Sequence, residues 1–271
     1  MLNNDLIQTF KTEGFVIVPS LFSIDEVETI KTHFMELNRQ GHGFEGDRAS
    51  LIDDNDPLKA YPRMVHPHRF DKLSLDWLLD NRLREWTTAL LDGTEPYAAQ
   101  TMFYFKPPGA RGQALHQDQA PLSVRPGTCL AAWMAVDDCD EDNGCLQLVP
   151  YTQDLPELCM IDADTTQSFT SQQVPIPDGL TPQPALMKSG DVLFFNGQVI
   201  HGSYPNTTTD RFRRALIAHY IVGEAEKVAE FYHPVLTFDG EEVDLLASEK
   251  GGPCGVFVNS DDGQTIKLVD R

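Results

Sequence analysis

Along this 271-residue chain the rhythm of hydrophobic and polar positions changes near residue 96. Before that point the spacing is mostly helical. Leu6, Ile7 and Phe10 share one face of a short helix over 3–13, and Gly14 supplies its stop. "FVIVPSLF" reads as a strand. In "SIDEVETIKTHFMELNRQG" Ser23 and Glu26 form an S-x-x-E capping box. Ile24, Val27, Ile30 and Phe34 make the apolar stripe of that helix, and Gly41 ends it. An irregular polar stretch over 40–70 follows, and its length predicts a lid or binding loop. Helical spacing returns in "LSLDWLLDNRLREWTTALLDG".

After residue 96 the apolar runs become short and aromatic-rich: "PYAAQTMFYFKP", "GTCLAAWMAV", "GCLQLVP", "GDVLFFNGQVIHGS" and "RRALIAHYIVG". Gly, Pro, Asp and Asn separate them. Short strands with turn chemistry between them predict an all-β barrel or sandwich. The Pro-, Thr- and Gln-rich stretch 151–185 reads as an insertion between strands. The tail 223–271 is an acidic C-terminal extension in which "GVFVNSDDGQTIKLV" predicts a hairpin. The whole chain is read as one domain, with 1–95 as a helical part carrying the lid and 96–222 as the β core.

Charge narrows the partners. A formal net charge of -20 argues against nucleic acid and against docking on anionic lipid. No segment is apolar for the ~18 residues a membrane span needs. The N-terminus has no basic, then apolar, leader pattern. Cys129, Cys139, Cys145, Cys159 and Cys254 are odd in number and form no CxxC pair, so they read as reduced thiols of a cytoplasmic protein.

The candidate chemistry lies in "ALHQDQAPL". On a strand, residues two apart share a face, so His116 and Asp118 can aim at one point while Gln117 aims away. An H-x-D pair alone is a common polar pattern. A third ligand gives it meaning, and His201 in "GDVLFFNGQVIHGSYPN" is the best candidate. Two histidines and one carboxylate make the facial triad of non-haem Fe(II) oxygenases, which leaves the other coordination positions open. The remaining histidines, His33, His42, His66, His68, His219 and His233, carry little information singly. Downstream, the basic cluster in "TTTDRFRRALIAHY" can supply a fork for a dicarboxylate. Arg213, Ala215, Ile217 and His219 share one strand face, and Arg214 belongs to the other.

H-x-D, N-G-C-L-Q-L-V-P, G-D-V-L-F-F, H-G-S-x-x-N and R-R-A occur in that order within 96–222, and "F-x-x-E-G-F-V-I-V-P" precedes a capped helix. This series resembles the phytanoyl-CoA dioxygenase family. The resemblance implies a mainly β fold, a double-stranded β-helix (jelly-roll, cupin-like) with N-terminal helices packed on one side. It implies Fe(II), 2-oxoglutarate and O2, with ascorbate as a reductant. His116, Asp118 and His201 match the iron ligands. Arg213 and Ser203 match the pair that holds the distal carboxylate of 2-oxoglutarate, with Arg211 and Arg214 as the competing arginines. Trp133 and Met102 match co-substrate contacts. Gly144, Pro150, Gly190, Asp191 and Asn206 match positions that shape turns and loops.

The implied reaction is hydroxylation of an unactivated carbon, or a related oxidation, with succinate and CO2 as co-products. Related halogenases replace the carboxylate by a small residue that leaves room for chloride, so Asp118 favours oxygen delivery. The substrate reads as a free small molecule of secondary metabolism, because no basic run stands out to hold an anionic CoA thioester. Tyr61, Arg63, His66 and His68 on the expected lid, and Phe103, Tyr104 and Gln119 near the ligands, are the candidate substrate contacts. Two other readings compete: a cupin-type metalloenzyme that does not use 2-oxoglutarate, and a non-catalytic binding protein on the same fold.

Overall fold

The structure is a computed structural model that describes residues 2–41, 56–249, 251–260 and 263–270. Part of the expected lid, 42–55, lies outside the described residues. The chain opens with α1 (Asn4–Glu13), capped by the Asn3 side chain and stopped by Gly14 at φ 85°. β1 (Phe15–Val18) follows, then α2 (Ile24–Arg39). The capping box is present in both directions: Glu26 N–H donates to Ser23 Oγ, and Ser23 N–H donates to the Glu26 carboxylate. β2 (Met64–Val65) leads to α3 (Lys72–Leu78) and α4 (Asn81–Leu90). The helical run after residue 70 is thus two helices, because the Asp80 side chain accepts from Arg82 N–H and starts a new one.

The core strands are β3 (Tyr97–Tyr104), β4 (Gln113–His116), then after α5 (Gln119–Leu122) β5 (Cys129–Ala135) and β6 (Leu146–Leu148). The insertion contributes β7 (Ile161–Asp162), β8 (Gln172–Gln173) and β9 (Gln183–Pro184). β10 (Val192–Asn196), β11 (His201–Ser203) and β12 (Ala215–Ile221) complete the core. The tail adds β13 (Lys227–Val228), β14 (Val235–Leu236), β15 (Glu242–Val243), β16 (Leu246–Ala247), β17 (Cys254–Ser260) and β18 (Gly263–Val269).

Two antiparallel sheets face each other, one of order β1-β10-β5-β12-β3-β14-β15 with β2 also on β3, the other β4-β11-β6-β9. This is the double-sheet jelly roll the motif order implies. β5 and β12 are buried on both faces because each face has its own cover. Ala131, Trp133, Ala135, Ala215 and Ile217 pack with Leu146 and Leu148 of the smaller sheet. Leu130, Ala132, Met134, Leu216 and Ala218 pack with Phe10, Val27, Phe34, Trp77 and Trp86 of the N-terminal helices. Phe34 stacks on Phe103 with ring centroids 4.1 Å apart.

Four expectations change. Ile24 is 57% exposed, since the first turn of α2 projects past the core, and the stripe begins at Val27. The 151–185 stretch is not wholly an insertion, because Gln183–Pro184 pairs with β6 inside the smaller sheet. The tail hairpin forms as expected over β17 and β18, but β14 and β15 also extend the large sheet. Cys159 and Cys254 are a disulfide, so the reading of all five cysteines as thiols is wrong. The fold brings the insertion against the tail hairpin, with Leu158 bridged to Gly255, and the partners are 95 residues apart. Cys129, Cys139 and Cys145 are free and buried.

Candidate active site

β4 ends at His116, and Asp118 is the residue that opens α5, with φ -68° and ψ -23°. Strand alternation is therefore not what aligns the pair. The chain leaves the strand at Gln117, and the helical turn at Asp118 brings its carboxylate back toward the same point. β11 pairs with β4 so that His201 lies opposite His116. The ligand atoms of His116, Asp118 and His201 all lie within 4.8 Å of one another, a set that can hold a metal ion. His116 Nε2 is 3.5 Å from Asp118 Oδ1, and His201 Nε2 is 3.6 Å from Oδ2.

Both imidazoles are held the same way. His116 Nδ1 lies 2.9 Å from Ala114 O, and His201 Nδ1 lies 3.0 Å from Val199 O. A backbone carbonyl can only accept, so Nδ1 carries the proton and the Nε2 lone pair faces the carboxylate. Burial, reinforced by His116, pushes His201 down to about 4, which keeps it a neutral ligand. Burial pulls Asp118 upward, but His201 and His219 outweigh it and hold the carboxyl well below the usual range. The donor set is two neutral imidazoles and one carboxylate, which suits Fe(II).

His219 was not singled out by the sequence. Its Nε2 lies 2.9 Å from Asp118 Oδ2, and it lines the same cavity as the triad. Its Nδ1 is buried with no hydrogen-bond partner among the described residues. The available signal was its place on the Arg213 face, six residues on. Gln113 was also missed: its amide lies 3.1 Å from His116 Nε2, and it too lines the cavity.

Arg213 lines the same cavity and is buried. Its Nε donates to Gly144 O at 2.9 Å, and its guanidinium lies 5.2 Å from the Trp133 ring centre. Among the described residues it has no carboxylate partner. By contrast, Arg211 pairs with Asp140 and Arg214 with Asp137. Ser203, Met102 and Trp133 line the cavity too. A buried cation without a counter-ion is costly, so this end fits an anionic group. The site thus fits both groups: a metal at the triad and a carboxylate at Arg213.

The candidate substrate contacts divide. Tyr104 lines the cavity, and Arg63 Nη1 donates to its phenol oxygen at 2.8 Å. Tyr61 packs on Phe105 and Phe212 instead. His66 is buried against Phe231, and His68 holds Thr101 Oγ1, so neither lines the cavity. Phe103 faces the helices, on the opposite side of its strand from Tyr104. Gln119 is turned into its own loop, where its amide donates to Val124 O and Gly127 O. Gln117 does point away from the triad, with its amide on Pro156 O and Gln198 O.

A jelly roll carrying an N2O metal triad beside a buried arginine with no carboxylate partner among the described residues fits the class of iron- and 2-oxo-acid-dependent oxygenases. Residues 10–215 match the family model "Phytanoyl-CoA dioxygenase (PhyH)", and the chain belongs to that family. It is 32% identical over 215 residues to phytanoyl-CoA dioxygenase 1 of Oryza sativa subsp. japonica, covering 77% of this chain and 76% of that one. It is 27% identical over 238 residues to the multifunctional dioxygenase ausE of Aspergillus calidoustus, covering 84% and 76% of the two chains. In structure it resembles the epimerase SnoN in complex with Fe3+, alpha ketoglutarate and nogalamycin RO, with a TM-score of 0.64 at 17% identity, covering 92% and 95%. The protein is a 2-oxoglutarate-dependent dioxygenase that uses Fe(II), 2-oxoglutarate and O2. No helix among the described residues is long and apolar enough to cross a membrane.

Proposed function

We propose that this dioxygenase hydroxylates an unactivated carbon of a free small organic molecule of secondary metabolism, with succinate and CO2 as co-products. The observation that carries the reading is the sharing of one cavity by a His-Asp-His triad and a buried arginine with no carboxylate partner among the described residues. His116, Asp118 and His201 hold the iron. Arg213 and Ser203 hold the distal carboxylate of 2-oxoglutarate, and Met102 and Trp133 wall its chain from water. Bound together, iron and 2-oxoglutarate let O2 deliver one oxygen atom to succinate and the other to the substrate.

The chain's own residues prepare the site. Backbone carbonyls of Ala114 and Val199 fix the two imidazoles with Nε2 inward. His219 holds one oxygen of Asp118 and leaves the other free. The carboxylate fills the position that a smaller side chain would leave open to chloride, which supports oxygen delivery. Tyr104, held by Arg63, is the substrate contact that the cavity supports. The acidity of the chain supports a free small molecule over a CoA thioester.

A screen of small molecules with iron, ascorbate and 2-oxoglutarate, read as substrate-dependent succinate with a product heavier by one oxygen, tests the reaction. Anaerobic titration tests the site: Fe(II) and 2-oxoglutarate together give a charge-transfer band. Its absence in protein that binds Fe(II) sinks the assignment of the pocket.

A further inference from the structure

Lys106 is a lysine that the reaction as described does not use. It follows β3, is buried, and stands in the left-handed region at φ 31°. Its Nζ donates to Gly144 O at 3.2 Å, to Ser203 Oγ at 2.8 Å and to Tyr204 O. An ammonium has three protons to donate, and here each has an acceptor. Among the described residues none of its partners is a carboxylate. The same Gly144 carbonyl accepts from Arg213 Nε at 2.9 Å, and Lys106 O accepts from Arg213 N–H at 3.0 Å. Two buried cations therefore share one carbonyl at one end of the iron cavity, in a chain of net charge -20. Burial and the neighbouring Arg213 both press Lys106 to give up its proton, a cost that a nearby anion relieves.

Ser203 shows where that anion belongs. A hydroxyl has one proton and two lone pairs. Ser203 Oγ accepts from Lys106 Nζ and also from Gln113 N–H, at 3.1 Å. Both lone pairs are spent, so the hydroxyl proton has to be donated elsewhere, and Ser203 lines the cavity. The surroundings are built to keep this arrangement. A Cβ on Gly144 would stand 2.6 Å from the Tyr204 carbonyl oxygen and 2.9 Å from Lys106 Cδ, and the residue is at φ 84°, so the site calls for glycine beside the lysine. Asn206 Nδ2 holds the Lys106 carbonyl from the other side.

We propose that Lys106 is a positioning residue for the co-substrate: it turns the Ser203 hydroxyl into an obligatory donor toward the distal carboxylate of 2-oxoglutarate. The inference rests on the placement of that carboxylate at Arg213 and Ser203. It predicts selectivity for a dicarboxylate, since a 2-oxo acid without the distal carboxylate makes no use of the device.

The test is calorimetric binding to anaerobic Fe(II)-loaded protein, with 2-oxoglutarate and with 2-oxopentanoate, which has the same chain length and no distal carboxylate. Lys106→Met and Ser203→Ala are each expected to weaken 2-oxoglutarate roughly 10- to 100-fold, the loss of a hydrogen bond to a charged group. Both should leave 2-oxopentanoate within about threefold, and the double variant should be no weaker than the worse single one. Lys106→Gln, which keeps a donor without the charge, replaces Lys106→Met if the latter does not fold. Equal losses for both 2-oxo acids, multiplicative effects in the double variant, or unchanged 2-oxoglutarate affinity in the Lys106 variants would overturn the proposal. Arg213→Ala is the separate control: unchanged 2-oxoglutarate affinity there overturns the carboxylate placement itself.

Discussion

Asp118 carries more of the site than any other side chain, because it lies beside both histidines of the triad and beside His219. Asp118→Ala removes the carboxylate proposed to hold the iron and takes away the partner of His219 Nε2. Substrate-dependent succinate formation should fall to background in that variant, measured with iron and 2-oxoglutarate in excess. Turnover at the wild-type rate would take the carboxylate out of the iron shell. At this scale the sequence was readable where chemistry is unusual: an H-x-D pair, a distant H-G-S and an arginine on the right face. It was misleading where a side chain's direction depends on the local turn. Gln119 follows Asp118, yet the start of α5 rotates its amide to Val124 O and Gly127 O. Phe103 and Tyr104 are neighbours that serve opposite faces of one sheet.

Among the elements, the N-terminal helices were the most legible, since capping and spacing are local properties. The energetic consequence follows burial more closely than pattern. Phe34 is fully buried and stacked on Phe103, and Ile24 is mostly exposed, although one stripe contains both. Phe34→Ala should cost about 3–5 kcal/mol in urea unfolding. Ile24→Ala should stay within roughly 0.5 kcal/mol, as surface substitutions do. The disulfide is the opposite case, an element-to-element link with no local signature. Thiol titration of the unfolded, unreduced protein should count three thiols per chain, Cys129, Cys139 and Cys145. Five would mean that Cys159 and Cys254 stay apart. Cys159→Ser should lower stability by about 2–4 kcal/mol, because it frees a long loop of the unfolded chain.

For the whole molecule, buried histidines outside the triad add to the acid sensitivity that His201 brings. Burial, with help from Arg69, holds His66 at about 3 and His68 at about 4, against 6.5 for the free side chain. Both values are depressed, so the unfolded chain takes up these protons first. Stability is complete above about pH 6.5 and declines as pH falls toward 4, by up to about 1.4 kcal/mol per pH unit for each histidine. Denaturant unfolding between pH 7 and 5 should show that slope, and His66→Phe, which keeps the ring among Phe231 and Tyr232, should remove its share. An unchanged slope would place the proton uptake elsewhere. Legible in the sequence were the first two helices with the capping box of α2, the strand-rich core, the metal-binding residue types and the basic cluster that offers the fork, because periodicity and donor chemistry are written locally. Only the tertiary structure shows that Asp118 reaches the triad from a helix start, that Arg213 has no carboxylate partner among the described residues, that His219 meets Asp118 and Lys106 meets Ser203, and that Cys159 meets Cys254. Each of these depends on which residues a closed pair of sheets brings together across the chain, and on what burial then does to a charge or a hydrogen bond.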